Sequence, residues 1–147
     1  MFHKLHKASR LSSTDWLYFF EAWFWLLVFD LGLRTCPFSS LQAYAARLSA
    51  RSASPEQVTG LILALKAAVD HARWNHLSPM TCLRRSLSLQ KMLARRGIVT
   101  ELKIGVRKEK GVFDAHAWLE YQGEPLGESK YMRESLTVMN KDNLDFP

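Results

Sequence analysis

The sequence predicts an α+β fold in which a helical N-terminal half is followed by a small antiparallel sheet. Apolar residues recur with helical spacing before Gly97, and beyond it they alternate with polar residues, as they do in strands. A chain of 147 residues with 48% hydrophobic content is long enough for one domain with a buried core. We expect a helical part at 1–77, a helix and sheet at 78–128, and a tail at 129–147.

Cysteine content and charge argue against several classes of protein. Cys36 and Cys82 are the only two cysteines, and no CxxC pair or Cys/His cluster has the spacing of metal ligands. The sequence therefore predicts neither a disulfide framework nor a metal site, we expect no cofactor, and a cytoplasmic setting fits best. The net charge of +6 is spread along the chain without a basic stripe interleaved with aromatic residues, which argues against nucleic-acid binding.

An aromatic, strongly apolar segment begins at Trp16, ends at Leu33 and is almost long enough to span a bilayer. Glu21 and Asp30 interrupt it, and each would cost about 2.5–3.5 kcal/mol near the bilayer centre. Nine residues separate them, so no single polar face of a helix shelters both. We predict a core helix, while a helix peripheral to a membrane surface, or one that docks a partner, stays open as the alternative.

Two further long helices are predicted from their capping signals. Ser54 is a candidate N-cap, with Pro55 at the first helical position of the helix that follows. Ser78 and Pro79 repeat this signal and predict the start of the next helix, which ends at Gly97. Cys82 is therefore expected in the first turns of that helix.

Two strands joined by a hairpin are predicted after Gly97. In the second strand, alternation places His116, Trp118 and Glu120 on one face. We predict a three-residue loop at 121–123 with glycine at the position that needs a positive φ. If the loop closes on its central residue, Glu120 faces Glu124 and His116 faces Glu128.

A thiol and an imidazole are the residues with a recognisable chemistry. A helix N-terminus favours the thiolate of Cys82, and His116 on a neighbouring strand can hold its proton. A carboxylate directly opposite, Glu128, would fix the imidazole tautomer, with Asp114 as the second choice for that role. Trp118 and Glu120 are expected to shape this site, whereas Cys36 is interpreted as a small apolar residue.

The chain resembles the leader peptidase of lasso-peptide biosynthesis in its split, single-domain form, a transglutaminase-like and papain-related cysteine protease. The resemblance covers most of the chain and is carried by four segments in a characteristic order. They are CLRRSL at 82–87, LARRGI at 93–98, LKIGV at 102–106 and AHAWLE at 115–120. The resemblance implies that Cys82 is the nucleophile, His116 the general base and acid, and Glu128 the orienting carboxylate. The family commonly has aspartate at this last position, so this chain departs from it by one methylene.

The resemblance also implies a substrate and partners. The substrate would be a ribosomally made precursor peptide whose leader is removed from its core. A separate leader-recognition protein would deliver the peptide, and a lasso cyclase would close the ring afterwards. The aromatic helix at 23–29 is a candidate docking surface for the recognition protein.

The expected chemistry is acyl transfer through a thioester on Cys82. Its backbone N–H, and Asn75 by analogy with papain-like enzymes, are candidate oxyanion donors. Two other functions stay open at this stage. The chain could be another thiol acyltransferase or transglutaminase on the same scaffold, or a non-catalytic binding module in which Cys82 and His116 merely pack.

Overall fold

The protein folds as four helices packed against a small antiparallel sheet, in a computed structural model that describes residues 12–77, 80–127 and 134–139. The helices are α1 (Ser13–Thr35), α2 (Phe38–Ala46), α3 (Pro55–Trp74) and α4 (Cys82–Ala94). The strands are β1 (Glu101–Glu109), β2 (Val112–Tyr121), β3 (Glu124–Pro125) and β4 (Thr137–Val138). Their order in the sheet is β3-β2-β1-β4, and each neighbouring pair is antiparallel. This confirms the predicted α+β fold.

Helix α4 lies at the centre of the molecule. Every residue from Ser86 to Ala94 is buried, because the helices α1, α2 and α3 and the strand β2 all pack against α4. Cys82 is its first residue, and the hydroxyl of the N-cap Thr81 accepts a hydrogen bond from the Arg84 backbone N–H at 3.4 Å. The helix therefore begins three residues later than Pro79 predicted, and Ser78 and Pro79 lie outside the described residues. Thr81, three residues beyond Ser78, supplies the cap instead.

The C-terminal end of α4 is closed as Gly97 predicts. Gly97 has φ 74°, its N–H donates to the Ala94 carbonyl at 3.1 Å, and the Ile98 N–H donates to the Leu93 carbonyl at 3.1 Å. This pair of bonds is a Schellman motif, which needs a left-handed residue where glycine stands. The chain turns sharply there and enters β1.

Helix α1 is a core helix, as the sequence predicts. Ala22, Leu26 and Phe29 are fully buried in the common core. The two acidic residues of its apolar run form ion pairs at the two ends of α4. Asp30 Oδ1 lies 2.9 Å from the guanidinium of Arg84 in the first turn, and Glu21 Oε2 lies 2.8 Å from that of Arg96, just after the last turn. By length and composition α1 would also pass as a membrane-crossing helix, but core helices of soluble proteins have the same properties.

An exposed apolar stripe runs along the opposite side of α1. Its largest exposed side chains are Leu17, Phe20, Phe24 and Leu31, each more than half exposed. The docking surface expected at 23–29 is exposed only in part, because Trp25, Leu26 and Phe29 within it are buried, and its role stays a prediction. A core helix buries the residues on one side only, and composition alone does not show which side that is. The residues of this stripe are the ones that a partner can reach.

The predicted N-terminus of α3 is confirmed in position. Ser54 is the N-cap and Pro55 the first helical residue, although the Ser54 side chain makes no capping hydrogen bond. Val58, Ile62 and Leu65 then bury one side of the helix against α1 and α4. The buried side of α3 therefore belongs to the helical core, and the other residues of α3 lie at the edge of that core.

The hairpin between β2 and β3 differs from the prediction by one residue. Tyr121 pairs with Glu124 and Glu120 with Pro125, so the loop has two residues, not three. Gln122 and Gly123 have φ 52° and 80°, which is the type I′ turn that joins strands with their natural twist. The expected pairing of Glu120 with Glu124 is therefore wrong, and so is the hairpin register from which Glu128 was expected to face His116. The paired part of β3 ends at Pro125, and Glu128 lies outside the described residues.

Candidate functional site

A small cavity brings Cys82 and His116 together. Its volume is about 80 Å³, and it lies where the first turns of α4 meet β2 and the middle of α3. Ser86 donates a hydrogen bond from its hydroxyl to the Ala117 carbonyl at 3.2 Å, which fixes α4 against β2 beside His116. The two residues that sequence analysis selected from distant segments therefore face one space.

Cys82 has the position that favours thiol chemistry. It is the first residue of α4 and is half-buried, so the thiol is sheltered but reachable. The first four N–H groups of a helix lack partners within the helix, and together with the helix dipole they stabilise a nearby negative charge. Thr81 uses the Arg84 N–H for the cap, and the start of the helix is oriented towards the cavity.

His116 is held in place by the neighbouring residues of the sheet. It is half-buried and pairs across the ladder with Gly105. Its ring stacks on Trp118 with centroids 6.1 Å apart and planes 16° apart. A Cβ at Gly105 would lie 2.9 Å from two carbons of the Trp118 ring, so the missing side chain makes room for the indole.

Trp118 lines the cavity and contacts Glu120, which is not among the described residues that line it. The expectation that both residues shape the site stays a prediction. Both are buried, and the Trp118 indole N–H donates to Glu120 Oε1 at 3.1 Å. A buried indole N–H needs such an acceptor, and the bond fixes the ring that supports His116. Glu120 therefore binds the ring on which His116 stacks.

Of the two candidates for the orienting carboxylate, Asp114 lies within the described residues and Glu128 does not. Asp114 is half exposed and forms an ion pair with Arg107 at 3.1 Å, which occupies it away from the cavity. Glu128 follows Gly127 in the chain, and Gly127 is one of the residues that line the cavity with Cys82 and His116. The role of Glu128 stays a prediction.

Three charged residues at the cavity were missed by sequence analysis. Asp70 of α3 accepts from Lys66 Nζ at 2.8 Å and from the Arg85 guanidinium at 2.5 Å, and all three side chains line the cavity. Arg85 follows Cys82 by three residues and Asp70 follows Lys66 by four, which are the helical spacings that place side chains together. This helical spacing was the signal available in the sequence. It does not show that α3 and α4 contact each other, because that contact depends on tertiary packing.

The charge of Asp70 is maintained by this cluster. Burial raises the pKa of Asp70, but the hydrogen bond from Lys66 and the charge of Arg85 outweigh burial, so its pKa lies below the usual value. The ionised carboxylate therefore links α3 to α4 beside Cys82.

Asn75 occupies a different position from the one expected of an oxyanion donor. It is the C-cap residue of α3, its Nδ2 donates to the His71 carbonyl at 3.1 Å, and its own carbonyl accepts from Trp23 Nε1 at 3.4 Å. Among the described residues, those that line the cavity do not include Asn75. Its proposed catalytic role stays a prediction.

Replacing the Asp70 carboxylate should change the acid stability of the protein. A carboxyl whose pKa is lowered in the folded state contributes stability above its unfolded pKa and loses it as the pH falls through the folded pKa. We expect Asp70→Asn to be less stable than wild type in urea at about pH 6, with the difference shrinking towards about pH 3. Asp114→Asn, which breaks an exposed ion pair, should show a much smaller difference. A constant difference for Asp70→Asn over this range would contradict the assignment.

The comparisons with known proteins agree with this geometry. The family model for the transglutaminase-like superfamily matches residues 23–141, which is most of the chain. No curated protein and no solved structure gives a significant match. The match covers the helix that begins at Cys82 and the strand that carries His116, on a scaffold typical of cysteine proteases and acyltransferases. The chain belongs to the transglutaminase-like superfamily.

Proposed function

We propose that the protein is a cysteine peptidase that removes the leader from a ribosomally made lasso precursor peptide. The observation that carries the proposal is the shared cavity of Cys82 and His116, with the thiol at the first residue of a buried helix. The order of the segments at 82–87, 93–98, 102–106 and 115–120 supports the assignment to leader peptidases. Family membership supports the coarser assignment to thiol acyl-transfer chemistry.

The proposed reaction has two acyl-transfer steps. The Cys82 thiolate attacks the carbonyl carbon of the scissile peptide bond, and the imidazolium of His116 gives its proton to the leaving nitrogen as the C–N bond breaks. The core peptide leaves with a free amine, and the leader stays bound to Sγ as a thioester. His116 then takes a proton from water, the resulting hydroxide attacks the thioester, and the leader leaves as a carboxylic acid while the thiolate–imidazolium pair is restored.

Two further groups assist these steps in the proposal. The backbone N–H of Cys82 stabilises the oxyanion of each tetrahedral intermediate, because it belongs to the unpaired first turn of α4. Asn75 is the second proposed donor, and its use requires its side chain to leave the His71 carbonyl. Glu128 orients the imidazole and stabilises its charged form without accepting the proton.

The proposed partners follow from the same assignment. A leader-recognition protein presents the precursor, and a lasso cyclase consumes the released core. The exposed stripe of α1, formed by Leu17, Phe20, Phe24 and Leu31, is available to the recognition protein. The setting proposed for these reactions is the cytoplasm.

Cleavage of a precursor peptide tests the proposed function. We expect mass spectrometry to show a single cut at the junction of leader and core when the protein is incubated with the precursor and recognition protein from the same source. The Cys82→Ala variant, which lacks the nucleophile, should show no cut, whereas Cys36→Ala should retain wild-type activity. A product that carries an added amine would identify a transglutaminase instead, and equal activity of Cys82→Ala and wild type would exclude the thioester mechanism.

The choice between Glu128 and Asp114 is tested by matched amide substitutions. We expect Glu128→Gln to lower kcat by roughly ten- to a hundred-fold, less than the full contribution of a general acid–base, because the carboxylate orients His116 and transfers no proton. Asp114→Asn should leave kcat within about two-fold of wild type, since its carboxylate pairs with Arg107. The reverse order of the two effects would assign the orienting role to Asp114.

A further inference from the structure

We propose that Trp74 forms part of the peptide-binding surface and packs against an apolar side chain of the substrate close to the scissile bond. This contact presupposes the proposed peptidase function and adds a residue that determines substrate affinity. Trp74 is the last residue of α3 and is 76% exposed.

Trp74 lies at the same end of the helical core as Cys82. The chain passes from the end of α3 at Trp74 to the start of α4 at Cys82 within a short connection, so these two helix ends are neighbours. The ion pair between Asp70 and Arg85 shows that α3 and α4 lie side by side at this end. Substrate that reaches the thiol therefore also approaches the end of α3.

Trp74 also continues the row of α3 residues that lines the cavity. Lys66 and Asp70 both line it, and Trp74 follows Asp70 by one further helical turn. Residues four apart on a helix have Cβ atoms about 5–6 Å apart on the same side. Helical spacing therefore places Trp74 on the same side of α3 as these two residues, one turn closer to the end of the helix.

The indole of Trp74 contacts the side chain that precedes it in the chain. The guanidinium carbon of Arg73 lies 4.4 Å from the ring centroid of Trp74, which is a cation–π contact. Leu77, 85% exposed, adds a second large apolar side chain in the turn that follows. A rigid aromatic side chain loses little conformational entropy on binding and is typical of residues that contribute most to an interface.

The size of the cavity explains why the substrate must contact such a surface. A space of about 80 Å³ accommodates little more than one side chain beside Cys82, so the rest of the peptide lies across the surface around it. An extended peptide advances about 3.3–3.6 Å per residue, so residues two or three positions from the scissile bond lie about 7–11 Å away. We assign the contact with Trp74 to one of those residues, because Trp74 follows the cavity-lining Asp70 by one helical turn.

Binding of uncut precursor to the inactive Cys82→Ala protein tests this contact without cleavage. We expect Trp74→Ala in this background to weaken the Kd for the precursor peptide about ten-fold, and Trp74→Phe to restore most of the affinity. Leu48→Ala is the matched control, since Leu48 is 49% exposed and precedes Ser49, whose N–H donates at 3.0 Å to the Ala94 carbonyl at the opposite end of α4. It should leave the Kd unchanged.

A kinetic measurement separates this contact from a structural role. In the protein with an intact thiol, Trp74→Ala should raise KM about ten-fold with little change in kcat, and should leave the rate of Cys82 alkylation by iodoacetamide unchanged. An unchanged Kd, or a fall in alkylation rate that accompanies the loss of affinity, would overturn the contact. Absence of any cleavage by the wild-type protein would instead overturn the peptidase function, while the Kd measurement would still decide the role of Trp74.

Discussion

Burial of α4 determines where this protein can do chemistry. From Ser86 to Ala94 the helix is enclosed by the other helices and the sheet, and one side of its N-terminal half, from Cys82 to Leu89, borders the cavity. Free N–H groups and the positive end of the helix dipole are concentrated in the first turn of that half. A cysteine placed at the first residue of such a helix is both accessible and electrostatically favoured as a thiolate. The sheet then has only to bring an imidazole to the same end, and β2 does so at His116.

The two acidic residues of α1 have a structural role that their position in an apolar segment conceals. Glu21 binds the guanidinium groups of Arg95 and Arg96 at one end of α4, and Asp30 binds Arg84 near the other end. Asp30 is itself 5% exposed, and removing the partner of a buried charge is strongly destabilising. These contacts fix α4 relative to α1. Because Arg84 follows Cys82 by only two residues, its ion pair with Asp30 also fixes the position of Cys82. The same charges that argue against a membrane-spanning helix therefore help to build the site.

Periodicity and capping signals predicted the order of the elements, the core role of α1 and the end of α4 at Gly97, because each of these depends on local sequence. The start of α4 was predicted less well, since Ser78 and Thr81 are both suitable N-caps and only packing chooses between them. The predicted register of the hairpin was also wrong. A two-residue loop requires Gln122 to adopt a positive φ, which a sequence without glycine at that position does not indicate.

The charged cluster of Lys66, Asp70 and Arg85 could not be predicted as a unit, because it joins two helices whose relative placement is a tertiary property. Support of His116 by Trp118 was predicted only in outline. Alternation places the two residues on one face, but the stacking also requires the space above Gly105 on the neighbouring strand. Local sequence thus selects the candidate residues, whereas packing determines what holds them in place.

The relative reactivity of the two cysteines tests most directly whether Cys82 and His116 form a working pair. Cys36 is exposed and Cys82 only half-buried, so exposure alone would make Cys36 the faster to react with iodoacetamide. Peptide mapping after alkylation at about pH 6 should instead show Cys82 reacting faster if His116, which lines the same cavity, takes the proton of its thiol. This advantage should be lost in His116→Ala. Faster labelling of Cys36 in the wild-type protein, or an unchanged Cys82 rate in His116→Ala, would contradict the pairing.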